Sequence, residues 1–332
     1  MAKVWSRIRE TIERHGSAGL ISVIGVAGSV PRDAGARIVL QPDGGFFGTI
    51  GGGRLEYEAI AAARAALAAG RGRAQFRDWP LGPNLGQCCG GMVKTLTETF
   101  GPADLPMVLR FEAAEQGGAF AVMGRIGEDG RVERVLAPSD TVMLRAAPVI
   151  GAAGVGAASF HESFGEVTTP VLLFGAGHVG RAVVLALAPL PFSVRWIDSR
   201  PDQFPQHIPQ NVVAVHADAV DRELDEAPRD AMVVVMTHSH PLDFDITVAA
   251  LQHETFDFVG LIGSQTKRAR FVHWARQMGV TDRQIERLVC PIGVPQIKGK
   301  EPAVIAAALA AQLLVVRERL SLPQASPAIQ PA

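Results

Sequence analysis

The sequence predicts an α/β protein, with a C-terminal doubly wound parallel (Rossmann-like) sheet joined to an N-terminal mixed α+β domain. A short apolar run at 171–174 leads directly into a Gly-x-Gly-x-x-Gly turn at Gly175, Gly177 and Gly180. A helical segment follows, and a second apolar run ends at Asp198, where dinucleotide-binding folds carry an acidic residue. Because strand, glycine turn, helix, strand and acid occur in this order, the stretch predicts the first βαβ unit of such a sheet.

The glycine turn also predicts a binding site. Its first glycine permits the bend, the second lets a pyrophosphate approach the backbone, and the third lets helix and strand pack closely. Backbone N–H groups at the start of the helix face the bound anion. We therefore expect Gly175, Gly177, His178 and Gly180 to contact a ligand, and Asp198 to accept a hydrogen bond from a ribose hydroxyl or another polar group.

Length and composition limit the function classes. A chain of 332 residues exceeds one typical domain, so we expect an N-terminal domain at 1–165, the Rossmann-like domain at 170–320 and a loose tail at 321–332. Lys plus Arg number 32 and Asp plus Glu number 33, a balance that argues against nucleic acid or an anionic membrane as the main partner. The first ten residues begin an amphipathic helix rather than a signal peptide. We expect a cytoplasmic protein without a membrane span.

Alternating apolar patterns organise the N-terminal domain. After an opening helix, two strands and a Pro-Asp-Gly-Gly turn predict a hairpin, followed by an alanine-rich helix that ends near residue 70. Four further runs, MVKTLTETF, MVLRF, AFAVMGRI and RVERVL, predict a β-meander between 92 and 136. The stretch 137–169 is rich in Gly, Ala and Pro and is predicted to be irregular.

A second glycine-rich turn, TIGGGR, follows the hairpin and opens the alanine-rich helix. Gly51, Gly52 and Gly53 predict a nest of backbone N–H groups that binds an anion, with Arg54 at its rim. A plain turn and helix start would produce the same pattern, and both interpretations stay open.

The loop LGPNLGQCCGG at 81–91 carries two adjacent cysteines, Cys88 and Cys89. Its proline and glycines are incompatible with regular structure, so the thiols lie on a loop rather than in a core. One alternative is that the two cysteines are small buried hydrophobic side chains. The other is a pair of thiolates that ligate a soft metal or carry sulfur. We favour metal ligation or persulfide transfer over a disulfide, because neighbouring cysteines bridge only with strain.

Two loops follow later strands of the predicted parallel sheet, at the edge where such sheets bind ligands. The first loop carries His238 and His240, which would either bind a metal or have a structural or ligand-contacting role. We favour the structural or ligand-contacting role, because the spacing fixes no third metal ligand. The second loop carries Ser264 and Lys267, which are expected to cap a helix and meet a phosphate; a solvated basic face is the alternative.

The last predicted helix, at about 303–320, is alanine-rich and nearly uncharged. It is expected to pack against the sheet or against a second subunit, which makes a homodimer the expected assembly.

Several of these stretches together resemble the XdhC/CoxI family, the accessory proteins of xanthine dehydrogenase and related molybdenum hydroxylases. The resemblance covers nearly the whole chain and rests on GSVPR, GTIGGGRLEYE, LGPNLGQCCGG, the Gly175 turn with DSR at 198–200, THSH, GLIGS, CPIG and GKEP. It implies a protein that binds the mature molybdenum cofactor (molybdopterin), assists its sulfuration by a cysteine desulfurase, and inserts it into apo xanthine dehydrogenase or a related hydroxylase. No nucleophile with a base and an orienting group is recognisable, so we expect a cofactor carrier rather than an enzyme.

The hypothesis from the sequence is therefore a carrier whose cofactor lies between the TIGGGR and CCGG loops and the strand ends of the second domain. Cys88 or Cys89 would lie near molybdenum or receive sulfur. The Rossmann cleft would hold either the pterin or a separate nucleotide. Two alternatives remain: an NAD(P)-dependent oxidoreductase, favoured by the Gly175 turn and Asp198 alone, and a regulatory nucleotide-binding module without chemistry.

Overall fold

The chain divides into two compact units, Met1–Val167 and Thr168–Ala332. Their geometry comes from a computed structural model, which describes residues 3–70, 72–82, 90–137, 159–165, 167–217 and 220–321. Every helix in these ranges is too short or too polar to cross a lipid bilayer.

The first unit combines antiparallel sheets with helices. Its described helices and strands, in chain order, are α1 (Val4–His15), β1 (Ala18–Ala27), β2 (Arg37–Leu40), β3 (Phe46–Gly48), α2 (Gly53–Ala68), β4 (Gln75–Pro80), β5 (Met92–Phe100), α3 (Leu105–Gln116), β6 (Phe120–Ile126), β7 (Val132–Leu136) and β8 (Ser159–Phe164). They form a five-stranded sheet in the order β3-β2-β1-β5-β4 and a three-stranded sheet in the order β7-β6-β8.

The two faces of the five-stranded sheet carry different cores. Side chains alternate along β1, so Ile21 packs with Leu55 and Ala59 of α2, whereas Leu20 packs with Trp5 of α1 and its neighbours. This alternation explains why a strand with almost no polar residues lies at the centre of the sheet, buried on both sides.

Two predictions for this unit are wrong. The run MVLRF lies in helix α3 and not in a strand, because Val108, Phe111 and Glu115 are buried at helical spacing. The Glu115 carboxylate accepts hydrogen bonds from the N–H groups at the start of α1, which fixes α3 against that helix. Strand β8 lies in the stretch predicted to be irregular, where pairing with β6 supplies the backbone hydrogen bonds that the local sequence does not suggest.

A buried charge network joins the two sheets of the first unit. The Arg134 guanidinium donates to both carboxylate oxygens of Glu98, at 2.7 and 2.6 Å, and to Glu162 at 2.8 Å. Arg37 donates to the other oxygen of Glu162 at 3.3 Å and stacks on the Phe164 ring. Burial opposes ionisation, but Arg134 and Arg37 hold the pKa of Glu162 below its ordinary value. The four charges pair with each other inside the unit, and among the described residues only the Arg37 Nε atom in this network lacks a hydrogen-bond partner, so the network is structural.

The second unit is a parallel α/β sheet. Its described elements are β9 (Thr169–Phe174), α4 (His178–Leu187), β10 (Phe192–Asp198), β11 (Val212–His216), α5 (Val220–Asp225), β12 (Met232–Val235), α6 (His240–Gln252), β13 (Phe258–Leu261), α7 (Gln265–Gln277), α8 (Asp282–Ile285), β14 (Leu288–Val289) and α9 (Pro302–Ser321). The strand order is β11-β10-β9-β12-β13-β14, and every neighbouring pair is parallel. The fold class predicted from the sequence is therefore confirmed.

Helices cover both faces of this sheet. Residues of α4 and α9 pack on one face with Leu173 and Val234, and residues of α6 and α7 pack on the other with Leu172 and Val233. The strand order reverses between β9 and β12, which places a topological switch point at the carboxyl end of β9. The Gly175 turn lies at this point, so the fold directs the turn toward the edge where ligands bind.

Candidate functional site

The Gly175 turn depends on glycine for two packing reasons. Gly175 has a φ of +117°, and a Cβ there would overlap the carbonyl oxygen of Met236 at the end of β12. A Cβ at Gly180 would overlap the Gly175 carbonyl oxygen, so α4 can approach β9 only without a side chain. A Cβ at Gly177 would meet nothing within 4 Å. Two glycines therefore serve the fold, while the space beside Gly177 faces outward from the turn.

Asp198 ends β10 beside this turn, and its carboxylate has several donors within the protein. Its Oδ2 atom accepts from the Ala176 N–H at 2.6 Å and from Arg200 Nη2 at 3.0 Å. Its Oδ1 atom accepts from the Arg200 N–H and from Arg200 Nε, both at 3.0 Å. Burial acts to raise the pKa of Asp198, but the hydrogen bonds from Arg200 and Ala176 hold it below its ordinary value. The carboxylate is an anion with satisfied partners, and its contact with a ligand hydroxyl stays a prediction.

A small cavity of about 40 Å³ opens at the switch point. It can admit one end of a ligand but not a whole nucleotide. Its wall combines the glycine turn with the ends of β10 and β12 and with apolar residues of α6, among them Gly175, Asp198, Ser199, Thr237, His238 and Leu242. The structure therefore brings three of the predicted site residues, Gly175, Asp198 and His238, to one cavity.

A second polar cluster lies after β12. The Asp243 carboxylate accepts from the Thr237 N–H and hydroxyl, both at 2.8 Å, and from Lys267 Nζ at 2.6 Å. The Asp243 side chain is only 2% exposed and that of Lys267 is 12% exposed. Lys267, predicted to meet a phosphate, is thus neutralised by Asp243. Sequence reasoning missed Asp243, although an acid in the first turn of α6 is the expected partner for N–H groups at a helix start.

The remaining predicted residues of this unit lie at or just before the starts of α4, α6 and α7. His178 and His238 are exposed, and His240 Nδ1 lies 3.7 Å from an Asp243 oxygen. Ser264 caps α7 by accepting from the Lys267 N–H, as predicted for a capping residue. The Cys290 thiol lies 4.0 Å from the Ser264 carbonyl oxygen, and burial raises its pKa to about 11. Cys290 is therefore a protonated thiol at neutral pH and a poor nucleophile.

The TIGGGR turn of the first unit encloses an anion that belongs to the chain itself. The Oε2 atom of Glu56 accepts from the Thr49 hydroxyl at 2.6 Å, from the Ile50 N–H at 2.9 Å and from the Gly52 N–H at 3.1 Å. Partial burial acts to raise the pKa of Glu56, but these hydrogen bonds hold it below its ordinary value. Two donors of the predicted nest are therefore engaged by side chains: the Gly52 N–H by Glu56, and the Gly51 N–H by the Thr49 hydroxyl at 3.1 Å. The acid in the first turn of α2 is the sequence signal for the first of these contacts.

Arg54, predicted to stand at the rim of this nest, pairs with Glu58 one helical turn later, at 2.7 Å. Its side chain is 60% exposed, so the guanidinium is accessible from solvent. Cys88 and Cys89 lie outside the described residues. Within the described residues, no group of three or more His, Cys, Asp or Glu side chains is arranged to hold a metal ion.

A larger cavity, of about 290 Å³, lies in the first unit between β5, β7 and the start of α3. Its charged groups pair with each other: Arg131 donates to Asp104 at 3.0 Å, and Arg134 to Glu98. None of the residues predicted from the sequence lines it. Size alone therefore does not make it the candidate site, and we assign that role to the strand edge of the second unit.

Two family matches agree with this arrangement. Residues 171–313 match the XdhC Rossmann domain, and residues 11–77 match the XdhC and CoxI family. The chain belongs to the XdhC/CoxI family. The resemblance noted from the motifs is thereby confirmed. The XdhC family is involved in xanthine dehydrogenase maturation, which implies an association with that enzyme.

Two individual proteins are also similar. The uncharacterized protein YqeB of Escherichia coli (strain K12) is 29% identical over 175 residues, which is 52% of this chain and 31% of that protein. The chain thus matches about a third of that relative's length. A crystal structure described as a xanthine dehydrogenase from Bacillus halodurans covers 98% of both chains with a TM-score of 0.75 and 20% identity. At this identity, the likeness shows a shared fold.

Proposed function

We propose that this XdhC-family chain carries the molybdenum cofactor during the maturation of xanthine dehydrogenase or a related molybdenum hydroxylase. In this proposal it holds the cofactor, assists its sulfuration and releases it into the apo-enzyme. The cofactor is cargo, so the chain itself needs binding groups and no catalytic residues. Family membership supports the biological setting, and the strand edge of the second unit supports the binding role.

The observation that carries the proposal is the set of polar groups at that edge. Molybdopterin offers a phosphate, a polar pterin and a soft metal centre. Space beside Gly177 admits a ligand close to the backbone, Arg200 presents a cation, and Thr237 and His238 line the adjacent cavity. These groups match the phosphate and the pterin, whereas the apolar wall of the cavity suits a flat ring.

The cysteine loop would supply the chemistry that this edge lacks. A thiolate of Cys88 or Cys89 is the kind of group that ligates a soft metal or accepts sulfur from a cysteine desulfurase. Cys290 is unsuited to that role, because its buried thiol stays protonated. We therefore assign sulfur handling to the cysteine pair. The desulfurase and a second copy of the chain belong to the same proposal as partners.

The test is to purify the protein from a molybdenum-replete host and to measure molybdenum and pterin per chain. We expect both above background, and a clear loss of molybdenum in the Cys88→Ala/Cys89→Ala double variant. Cys290→Ala is the matched control, since it also removes thiol but from a buried position, and it should keep its molybdenum. Absence of both metal and pterin from the native protein would contradict the carrier role.

The same preparation separates the carrier from an NAD(P)-dependent oxidoreductase. A carrier gives pterin fluorescence after denaturation and oxidation, whereas the oxidoreductase gives a bound nicotinamide and turnover with a small substrate. Unchanged molybdenum and unchanged dehydrogenase maturation in the double cysteine variant would contradict the cysteine part alone.

A further inference from the structure

We infer that the strand edge beside the Gly175 turn selects ligands bearing a phosphate monoester over those offering a free diol, and that Arg200 is the residue that selects. The inference concerns the ligand class of the proposed carrier site. It rests on the proposed function only in placing a ligand at that edge.

The first step is the state of Asp198. In a diol-binding site, the acid at the end of this strand accepts a hydrogen bond from a ribose hydroxyl of the ligand. Here both oxygens already accept from Arg200, one of them also from Ala176, and the side chain is 2% exposed. A diol would have to displace a bidentate guanidinium from a buried carboxylate, which loses two charge-assisted hydrogen bonds.

The second step is what the edge presents instead. The side chain of Arg200 is 36% exposed, and only its Nε and Nη2 atoms face Asp198. A guanidinium has five N–H donors in a planar fork. The Nη1 atom of Arg200 has no acceptor among the described residues, because only Nε and Nη2 donate to Asp198. The outward-facing group at this strand end is therefore a cationic donor.

The third step is electrostatic. An unpaired Asp198 would repel a phosphate, but Arg200 neutralises its charge and holds the fork in one orientation. Arg200 follows the strand in the place where an arginine accommodates a ribose 2′-phosphate in dinucleotide-binding folds. His216 lies on β11, opposite Asp198 of β10. Its Nε2 atom lies 3.0 Å from the Ser199 carbonyl oxygen and so holds the backbone just before Arg200. Backbone and side chain thus both fix the position of Arg200.

A phosphate monoester can come from two sources, the side-chain phosphate of a pterin or the 2′-phosphate of a nucleotide. Two ligand pairs distinguish them, and each pair differs by one phosphate group. The first pair is 2′-AMP and adenosine. The second is oxidised molybdopterin before and after phosphatase treatment. Binding of each is measured by calorimetry on the purified full chain at one fixed salt concentration, because phosphate contacts are salt-dependent.

In at least one pair, we expect the phosphorylated member to bind about tenfold more tightly. Arg200→Ala should abolish that preference, and Arg200→Lys should retain part of it, since a lysine keeps the charge but not the fork. Arg222→Ala is the matched control: its side chain is 77% exposed and pairs with Glu226, and its loss should leave the preference intact. Thermal unfolding verifies that each variant is folded.

Asp198→Asn keeps the inference falsifiable if Arg200→Ala does not fold. Selection by Arg200 predicts that this variant still prefers the phosphorylated member. Equal affinities within both pairs, tighter binding of the dephosphorylated members, or no binding of any of the four ligands at millimolar concentration would overturn the inference. So would an unchanged preference in Arg200→Ala. Normal molybdenum loading without phosphate selection would refute the inference and leave the carrier role standing. Phosphate selection without molybdenum loading would refute the carrier role and leave the inference standing.

Discussion

The two glycine-rich turns of this protein each lead from a strand into a helix but treat an anion differently. The TIGGGR turn wraps around Glu56, which has no cationic partner among the described residues. At the Gly175 turn, by contrast, the Asp198 carboxylate is neutralised by Arg200. An external anion at the first turn would have to displace Glu56, whereas at the second it would meet a guanidinium. A glycine-rich turn between a strand and a helix is therefore self-satisfied in one unit and receptive in the other.

The largest expected effect separates glycines that serve the fold from those that serve a ligand. Gly175→Ala and Gly180→Ala each place a Cβ against a backbone carbonyl, and each should lower the free energy of unfolding by about 3 kcal/mol or more. Gly177→Ala is the control in the same turn, with open space and an ordinary φ, and should change stability little. Chemical denaturation measures all three. A strongly destabilised Gly177→Ala variant would show that Gly177 also serves the fold and would contradict this separation of the three glycines.

The next effect tests whether Glu56 is the internal anion of the TIGGGR turn. Glu56→Ala leaves one hydroxyl and two backbone N–H groups without their acceptor, which should cost about 2 kcal/mol of unfolding free energy. Glu58→Ala removes an acid two residues away whose partner among the described residues is the exposed Arg54, and should cost no more than about 0.5 kcal/mol. Equal losses in the two variants would show that the turn does not depend on Glu56.

A smaller effect is expected from Gly52→Ala. The φ of Gly52 is +75°, but a Cβ there would meet nothing within 4 Å. Its ψ of −168° places it in a backbone region used almost only by glycine, so the cost is backbone strain alone, about 1–3 kcal/mol, and less than for Gly175→Ala, where a steric overlap adds to the strain. A loss as large as that of Gly175→Ala would show that the two turns are equally tightly packed, against the geometry.

The smallest effect is the pH dependence of stability. The pKa values of Glu56 and Asp198 are held below their ordinary values in the folded protein. The stability that each contributes is present above the pKa of the unfolded chain and is lost as the pH falls through the lowered folded value. Thermal unfolding between pH 7 and pH 3 should show this decline. The fall in unfolding temperature with decreasing pH should be smaller in Asp198→Asn. The same fall in the variant and the native protein would show that Asp198 contributes nothing to the pH dependence.

Local features were predictable because they depend on residue type and spacing. Apolar runs and glycine spacing predicted the parallel sheet, its first βαβ unit and the helix cap at Ser264. The same reasoning failed for α3, where a short apolar run fits either a strand or one turn of a helix, and burial decides between them. It also missed β8, whose identity depends on a partner strand distant in the sequence.

The sequence by itself determined the fold class, the family and the position of both glycine turns, since glycine and proline restrict the backbone wherever they occur. Only the tertiary structure decided which group each turn and each charge would meet. Lys267 and Asp243 are 24 residues apart, and Arg37 and Glu162 are 125 apart, yet each pair is in contact. Such pairings depend on how strands and helices pack, because a charge that leaves water is stable only beside a partner. The packing thus made Asp198 an internal acceptor and left Arg200 as the group that faces a ligand.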